Sequence, residues 1–354
     1  MMNGYCAPFH PGWDCHGLPS ELKAMKALKD GGRSLSALEV RKLSKEFSAQ
    51  NMEIMREDFK RQGCLADWSR EYVTMRPSYE ADIMRAFSAF VEKGLVYRDR
   101  KPVVWSIPAR SPLAEAEIEY KDHKSTSIWV PFFRSDDPTT AFVIWTTTPW
   151  TIPANVAVAL NPKLDYVALE RDGKKYIVAE ALSEKFTKTV GWEGSPKAYV
   201  KKGKEFEGVT LKHPFMAHGS RLVLADYVSA EDGTGCVHTA PGHGVEDYQT
   251  GREFGLEVYS PLDDDGKYVN DGRIPAELVG LTTLEKNGVS QANEAVIAML
   301  KRDGNLIHSQ AYSHSYPFCG RTGTPIIFRS LEQWFVGLDR GGMRQKVLEE
   351  IEKV

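Results

Sequence analysis

From Ile128 onward the hydrophobic period of this chain changes, and no single regular architecture accommodates both sides of the change. Before it, apolar residues recur at helical spacing. Ser36-Ala-Leu-Glu39 is a capping-box pattern, and it opens a long amphipathic helix carrying Leu43, Phe47, Ile54, Met55 and Phe59, with Gly63 as its stop. A second helix is expected from Tyr79 to Lys93, and a short one from Glu21 to Leu28. After Ile128 the apolar residues form short β-branched runs at 128–133, 141–145, 156–160 and 166–170, divided by Pro, Gly, Asn and Asp. Asp172-Gly173 is a hairpin signal. Further strands are expected over Arg221 to Leu224 and Cys236 to Thr239, and helices near Val245–Phe254 and Val289–Arg302. Ser135–Thr140 is a turn inside this β-rich stretch, and the helix-rich frame resumes near Tyr312. The chain is expected to divide into 1–124, a β-rich module over 125–310, and a returning segment over 311–354.

Composition narrows the class. With 354 residues the chain is long enough for two or three domains, each with its own core. The net charge of -3 leaves no overall basic footprint, so contact with a nucleic acid has to be local. The cysteines Cys6, Cys15, Cys64, Cys236 and Cys319 form no C-x-x-C pair, which points to free thiols in a reducing cytoplasm. No apolar stretch is long enough to span a bilayer, and no signal peptide is visible, so no membrane partner is expected.

Three motifs carry chemistry. Gly12-Trp13-Asp14-Cys15-His16-Gly17-Leu18-Pro19 holds a carboxylate in a glycine-flanked turn, where Asp14 can meet an ammonium group; the plainer reading makes Asp14 a helix cap. Trp145-Thr146-Thr147-Thr148-Pro149-Trp150 ends an apolar run in consecutive hydroxyls; one such threonine is ordinary strand chemistry, three between tryptophans less so. His238 to Tyr248 sets His238 and His243 around a Pro-Gly turn, followed by Glu246 and Asp247. Glu246 fits a solvated first helical turn, where acids favour the helix dipole. His243 reads mainly as a turn residue, with contact to a site as the lesser alternative.

Together these motifs resemble the class I aminoacyl-tRNA synthetases for branched aliphatic amino acids. Within that family the Cys15-His16-Gly17-Leu18-Pro19 ending and the third threonine, Thr148, look like the isoleucine-specific members. The resemblance implies an α/β fold: a partial Rossmann-like catalytic domain interrupted by a β-rich, barrel-like α/β editing domain. It implies that Asp14, with Gly12 and Trp13, binds the substrate amino acid. It implies an editing pocket shaped by Trp145, Thr146, Thr147 and Thr148, with Asp247 anchoring the ammonium of a misattached valine. An unperturbed Asp, with a pKa of about 3.9, is ionised near neutrality and suits that task. His238 would place the terminal adenosine or the attacking water. Such a pocket answers a physical limit: one methylene is worth about 1–3 kcal/mol in an apolar site, and valine against isoleucine is itself the standard example of that limit.

The resemblance also sets the expected partners: tRNA for isoleucine, isoleucine, valine, and ATP with Mg as substrate of the parent enzyme. A monomer in the cytoplasm is expected. The His-Ile-Gly-His and Lys-Met-Ser-Lys-Ser signatures that bind ATP in the family are not in the sequence, so an internal piece without synthetic activity is expected. Many members carry zinc-binding cysteine pairs flanking the editing module; here Ser106, Ala109 and Thr322 stand there with Cys319 alone, so no zinc is expected. Two other readings stay open, a free-standing hydrolase of mischarged tRNA and a non-catalytic module that binds tRNA ends.

Overall fold

The computed structural model describes residues 4–26, 28, 35–286 and 288–353. The chain forms two compact units, 1–99 with 334–354, and 100–333.

The first unit opens on a two-residue strand, β1 (Gly12–Trp13), followed by α1 (Leu18–Lys26) and α2 (Ala37–Arg61). α1 starts earlier than the expected Glu21, since Pro19 suits a first helical turn; position 27 lies outside the described residues. Ser36 caps α2 as its spacing predicts, with the reciprocal Glu39 contact in place. β2 (Tyr72–Val73) pairs parallel with β1, and α3 (Pro77–Glu92) follows. The parallel pair is closely fitted: a Cβ on Gly12 would fall 2.0 Å from the Tyr72 ring. The helical periods of α2 and α3 are realised, but not the burial they imply. Ile54 is 61% exposed and Ile83 51%.

The chain leaves this unit along β3 (Val96–Ser106), which pairs with β4 (Ser111–Pro112). The second unit then builds two sheets. β5 (Ile118–Phe133), β6 (Thr140–Thr146), β8 (Asp165–Arg171), β9 (Lys174–Ala179), β10 (Lys197–Lys202) and β14 (His308–Cys319) make a six-stranded sheet in the order β10-β8-β9-β6-β5-β14. β7 (Ala157–Leu160), β11 (Thr210–Lys212), β12 (Gly219–Leu224) and β13 (Cys236–Thr239) make a four-stranded one, β11-β12-β7-β13. Neither strand order closes on itself among the described residues, so the barrel-like expectation resolves into open sheets in a mixed α/β fold. α4 (Ser183–Val190), α5 (Val245–Phe254) and α6 (Gln291–Arg302) complete the unit. β15 (Ile327–Val336) neighbours β3 and carries the chain back to α7 (Met343–Ile351). No described helix is long and apolar enough to cross a membrane.

The unbroken apolar run of β6 has a simple cause. Ala141, Phe142, Val143 and Ile144 are all fully buried because both faces of the sheet are covered. Phe142 and Ile144 join Ile128, Val130, Phe132 and Ile177 in the main core, while Val143 joins Trp129, Val167, Val178 and Phe186 of α4 on the other face. Asp172 and Gly173 both take positive φ, 50° and 73°, the geometry of a tight hairpin turn, and join β8 to β9 in register. Two pairings escape any local reading: β7 runs parallel to β12, and β6 parallel to β9.

Candidate functional site

The threonine run ends β6 and turns into a 3-10 segment, Pro149–Ala154. β7 follows at once and pairs antiparallel with β13, setting His238 opposite Val158. β13 leads through the Pro241-Gly242 turn into α5, whose first turn carries Asp247. One strand pairing thus brings the two motifs together. Trp145, Thr146, Thr147, Thr148, Thr151, Val237, His238, Ala240, His243 and Asp247 line one cavity of about 220 Å³. Thr151, Val237 and Ala240 were not foreseen as lining residues, and His243, read mainly as a turn residue, lines the cavity as well. Thr151 gives no signal at the sequence level, whereas the Pro-Gly-His spacing does place His243 near the turn.

The wall of this cavity is held rigidly. Thr148 N–H donates to Thr146 Oγ1 at 3.1 Å, and the two hydroxyls lie 3.2 Å apart. The turn behind them is anchored carbonyl by carbonyl: Thr151 Oγ1 donates to Thr148 O at 2.9 Å, His213 Nε2 to Ile152 O at 2.8 Å, and His218 Nε2 to Asn155 O at 2.7 Å. Tyr268 Oη donates to Trp150 O, and Asn293 Oδ1 accepts from Trp150 N at 2.9 Å. Burying these carbonyls without partners would cost about 1–3 kcal/mol each, so the network fixes one backbone path.

His238 is bonded on both sides of its ring. Asn155 Nδ2 donates to Ala157 O at 2.7 Å, which fixes the amide orientation, and the same nitrogen stands 2.8 Å from His238 Nδ1. Nδ1 is therefore an acceptor, and the proton sits on Nε2, which donates to Thr151 Oγ1 at 2.8 Å. Both ring nitrogens are committed within the protein. Burial, with a smaller push from His243, lowers the His238 pKa to about 3, so the ring stays neutral.

Asp247 also departs from the expectation. Its Oδ2 accepts from Ala240 N at 2.9 Å, but burial outweighs that bond, and Glu246 adds to the upward push. The carboxyl is raised to about 7 instead of sitting near its solution value. Glu246 beside it is exposed, as expected of a solvated helical turn. A Cβ on Gly244 would lie 3.0 Å from the Asp247 carboxylate, so a glycine there keeps the space in which that group stands.

His243 is 8% exposed and faces Trp150 edge to face, with centroids 5.0 Å apart. Its Nδ1 meets Phe328 O at 2.8 Å, and since a carbonyl only accepts, Nδ1 carries the proton. Burial lowers its pKa to about 4 against the raising effect of that bond, with Arg329 pushing the same way as burial.

The remaining sequence candidates lie in the first unit. Asp14 and Gly12 are exposed at the end of β1, and Asp14 does not line the cavity formed near Cys15, His16 and Gly17. Trp13 is 5% exposed and donates Nε1 to Glu71 at 2.8 Å; Glu71 also binds Arg56. Trp13 is thus a core residue as well as a candidate. At the zinc position, Cys319 is fully buried, and the Ser106 and Thr322 hydroxyls lie 3.4 Å apart. Burial would raise the Cys319 pKa, but hydrogen bonds from Thr322 and Ser106 and from the backbone hold it below the ordinary thiol value. One thiol with neutral hydroxyls does not fit a four-ligand zinc site. No group of three or more metal-ligating side chains occurs among the described residues.

The threonine-lined cavity beside the half-buried Asp247 carboxyl lies on the β-rich second unit. The chain belongs to the tRNA synthetases of class I, in the group of the isoleucine, leucine, methionine and valine members, whose family model matches residues 1–354. Its similar relatives include an isoleucine–tRNA ligase of Fervidobacterium pennivorans, 49% identical over 354 residues, and one of Thermotoga maritima, 46% identical over 355 residues. In both cases the match covers 100% of this chain and 38% of the relative, so the chain spans well under half the length of the proteins it matches. Among solved structures, "The crystal structure of GlLeuRS-CP1" aligns with 54% of this chain and 99% of that one, at a TM-score of 0.38 and 13% identity, a likeness too slight to carry an argument.

Proposed function

We propose that this chain is an internal part of an isoleucine–tRNA ligase and that its second unit hydrolyses valine wrongly esterified to the tRNA for isoleucine. The observation that carries the reading is the convergence of Thr146, Thr147, Thr148, Trp145 and Asp247 on one cavity of about 220 Å³, with the 148–155 wall hydrogen-bonded at Thr148, Trp150, Ile152 and Asn155. A size sieve needs such stiffness, since a wall that relaxes by the width of a methyl group discriminates nothing. Asp247 meets the substrate ammonium and is driven to its charged form by that contact. Thr146, Thr147 and Thr148 fill the space that the extra methylene of isoleucine would need.

In the same reading Asp14 meets the ammonium of isoleucine in the synthetic site of the whole protein, where ATP with Mg is the second substrate. The chain by itself carries one wall of that site and does not form the adenylate. The partners are the tRNA for isoleucine and the two amino acids.

The test is deacylation of preformed valyl- and isoleucyl-tRNA for isoleucine. The expected result is hydrolysis of the valyl ester, with the isoleucyl ester left largely intact. Asp247→Ala should slow the valyl reaction about ten- to a hundredfold, the worth of one charge-assisted contact, while Glu246→Ala should change little. A folded Asp247→Ala protein working at the wild-type rate would sink the assignment.

A further inference from the structure

The cavity contains two histidines, and they are not equivalent. His238 has no ring nitrogen to spare, because Nδ1 accepts from Asn155 and Nε2 donates to Thr151. His243 uses only Nδ1, as donor to the Phe328 carbonyl. That bond fixes the tautomer and leaves Nε2 as a bare lone pair. Nε2 has no partner among the described residues, and it is absent from the buried side-chain atoms that are sealed from solvent without one. The residue lines the cavity together with Thr148 and Asp247. The ring cannot swing away, being held by the Phe328 bond on one side and Trp150 on another.

We propose that His243 Nε2 accepts the proton of the water that attacks the aminoacyl ester. This deepens the editing function proposed above and rests on it. The water oxygen forms a bond to the ester carbonyl carbon as its proton moves to Nε2. The bond from that carbon to the ribose oxygen then breaks, and the imidazolium returns the proton to the leaving ribose oxygen. The sum is ester plus water giving free amino acid plus a ribose hydroxyl, with no oxidant or further reactant. Arg329 stands near enough to disfavour the imidazolium, and it is itself held by Asp264 at 2.6 Å and Leu262 O at 2.9 Å. The ring is therefore neutral and able to accept at every physiological pH. Because the imidazolium is disfavoured, it is short-lived and gives its proton up readily to the leaving ribose oxygen.

The test compares His243→Ala and His243→Asn in the intact protein, with valyl-tRNA for isoleucine as substrate. Asparagine can place its Nδ2 where Nδ1 stood, keeping the Phe328 anchor while deleting Nε2. Both variants should lose about ten- to a hundredfold in kcat with KM nearly unchanged. Added imidazole should restore part of the rate of His243→Ala but not that of His238→Ala. Wild-type kcat in the folded asparagine variant would overturn the proposal. So would a loss confined to KM, or a rate in His243→Ala that imidazole does not touch. If the wild-type protein itself leaves the valyl ester intact, the editing function fails first and this inference falls with it.

Discussion

His238 Nε2 stands 2.8 Å from Thr151 Oγ1, and with Nδ1 held by Asn155 that contact saturates the imidazole. The histidine joins β13 to the turn that carries the threonines, two segments 87 residues apart in sequence. Both bonds tie the ring to the wall of the cavity, and substitutions at His238 should read as structural effects before they read as chemical ones.

Removing either partner strands a buried polar group. His238→Ala and Thr151→Val should each lower stability by about 1–3 kcal/mol. The double variant should cost less than the sum, with a coupling of about 0.5–3 kcal/mol in a denaturant-unfolding cycle. Strict additivity would show that the contact does not hold the turn.

Asp247 makes binding pH-dependent. Its carboxyl sits at about 7 in the unliganded cavity, so an ammonium ligand must displace a proton below that pH. Affinity for a non-hydrolysable valyl-adenosine analogue should fall about tenfold per pH unit below 7. The buried histidines and the tyrosine near the carboxyl do not titrate in this window. His238 and His243 stay neutral, and burial holds the Tyr227 phenol up at about 12. Calorimetric titration from pH 5.5 to 8 checks this, and Asp247→Asn should flatten the profile.

The same shift acts on folding. The native state binds the Asp247 proton more tightly than the unfolded chain, whose aspartate titrates near 3.9. Stability contributed by this group is therefore full below about pH 4, declines as pH rises toward 7, and is lost above that. Asp247→Asn should gain stability relative to wild type over that interval, by about 1–2 kcal/mol once partial solvent access is allowed for. Thermal melts of both proteins at pH 5 and pH 8 would show it, and a constant difference between them would contradict the assignment.

Two glycines in the turn should separate stability from function. A Cβ on Gly242 would lie 2.1 Å from the Tyr259 carbonyl oxygen, a backbone atom that cannot step aside. Gly242→Ala should then cost several kcal/mol, of the order of other overpacked sites. Gly244→Ala meets only the Asp247 side chain at 3.0 Å, so it should fold nearly normally and lose deacylation through displacement of the carboxylate. Melting temperature and single-turnover rate, measured together, distinguish the two.

Where many relatives were expected to carry cysteine pairs, Ser106 and Thr322 hydroxyls accompany a single buried thiol. Purified protein should hold far less than one zinc per chain by elemental analysis. One tightly held zinc would require ligands other than these.

Much of this protein is legible in its sequence because the relevant physics is local. The Ser36–Glu39 cap, the Asp172-Gly173 turn and the start of α5 depend on bonds and dihedrals spanning a few residues, and all appear where spacing puts them. The motif residues themselves, Thr146 to Thr148 and His238 to Asp247, are fixed by order alone. What the sequence could not supply is their surroundings. The antiparallel pairing of β7 with β13 decides that the motifs share a cavity. The same fold saturates His238, leaves a lone pair on His243 and lifts the Asp247 carboxyl toward neutrality. A hydrogen-bond partner and a local dielectric belong to groups far along the chain, and only the packed structure brings them to the side chain they govern.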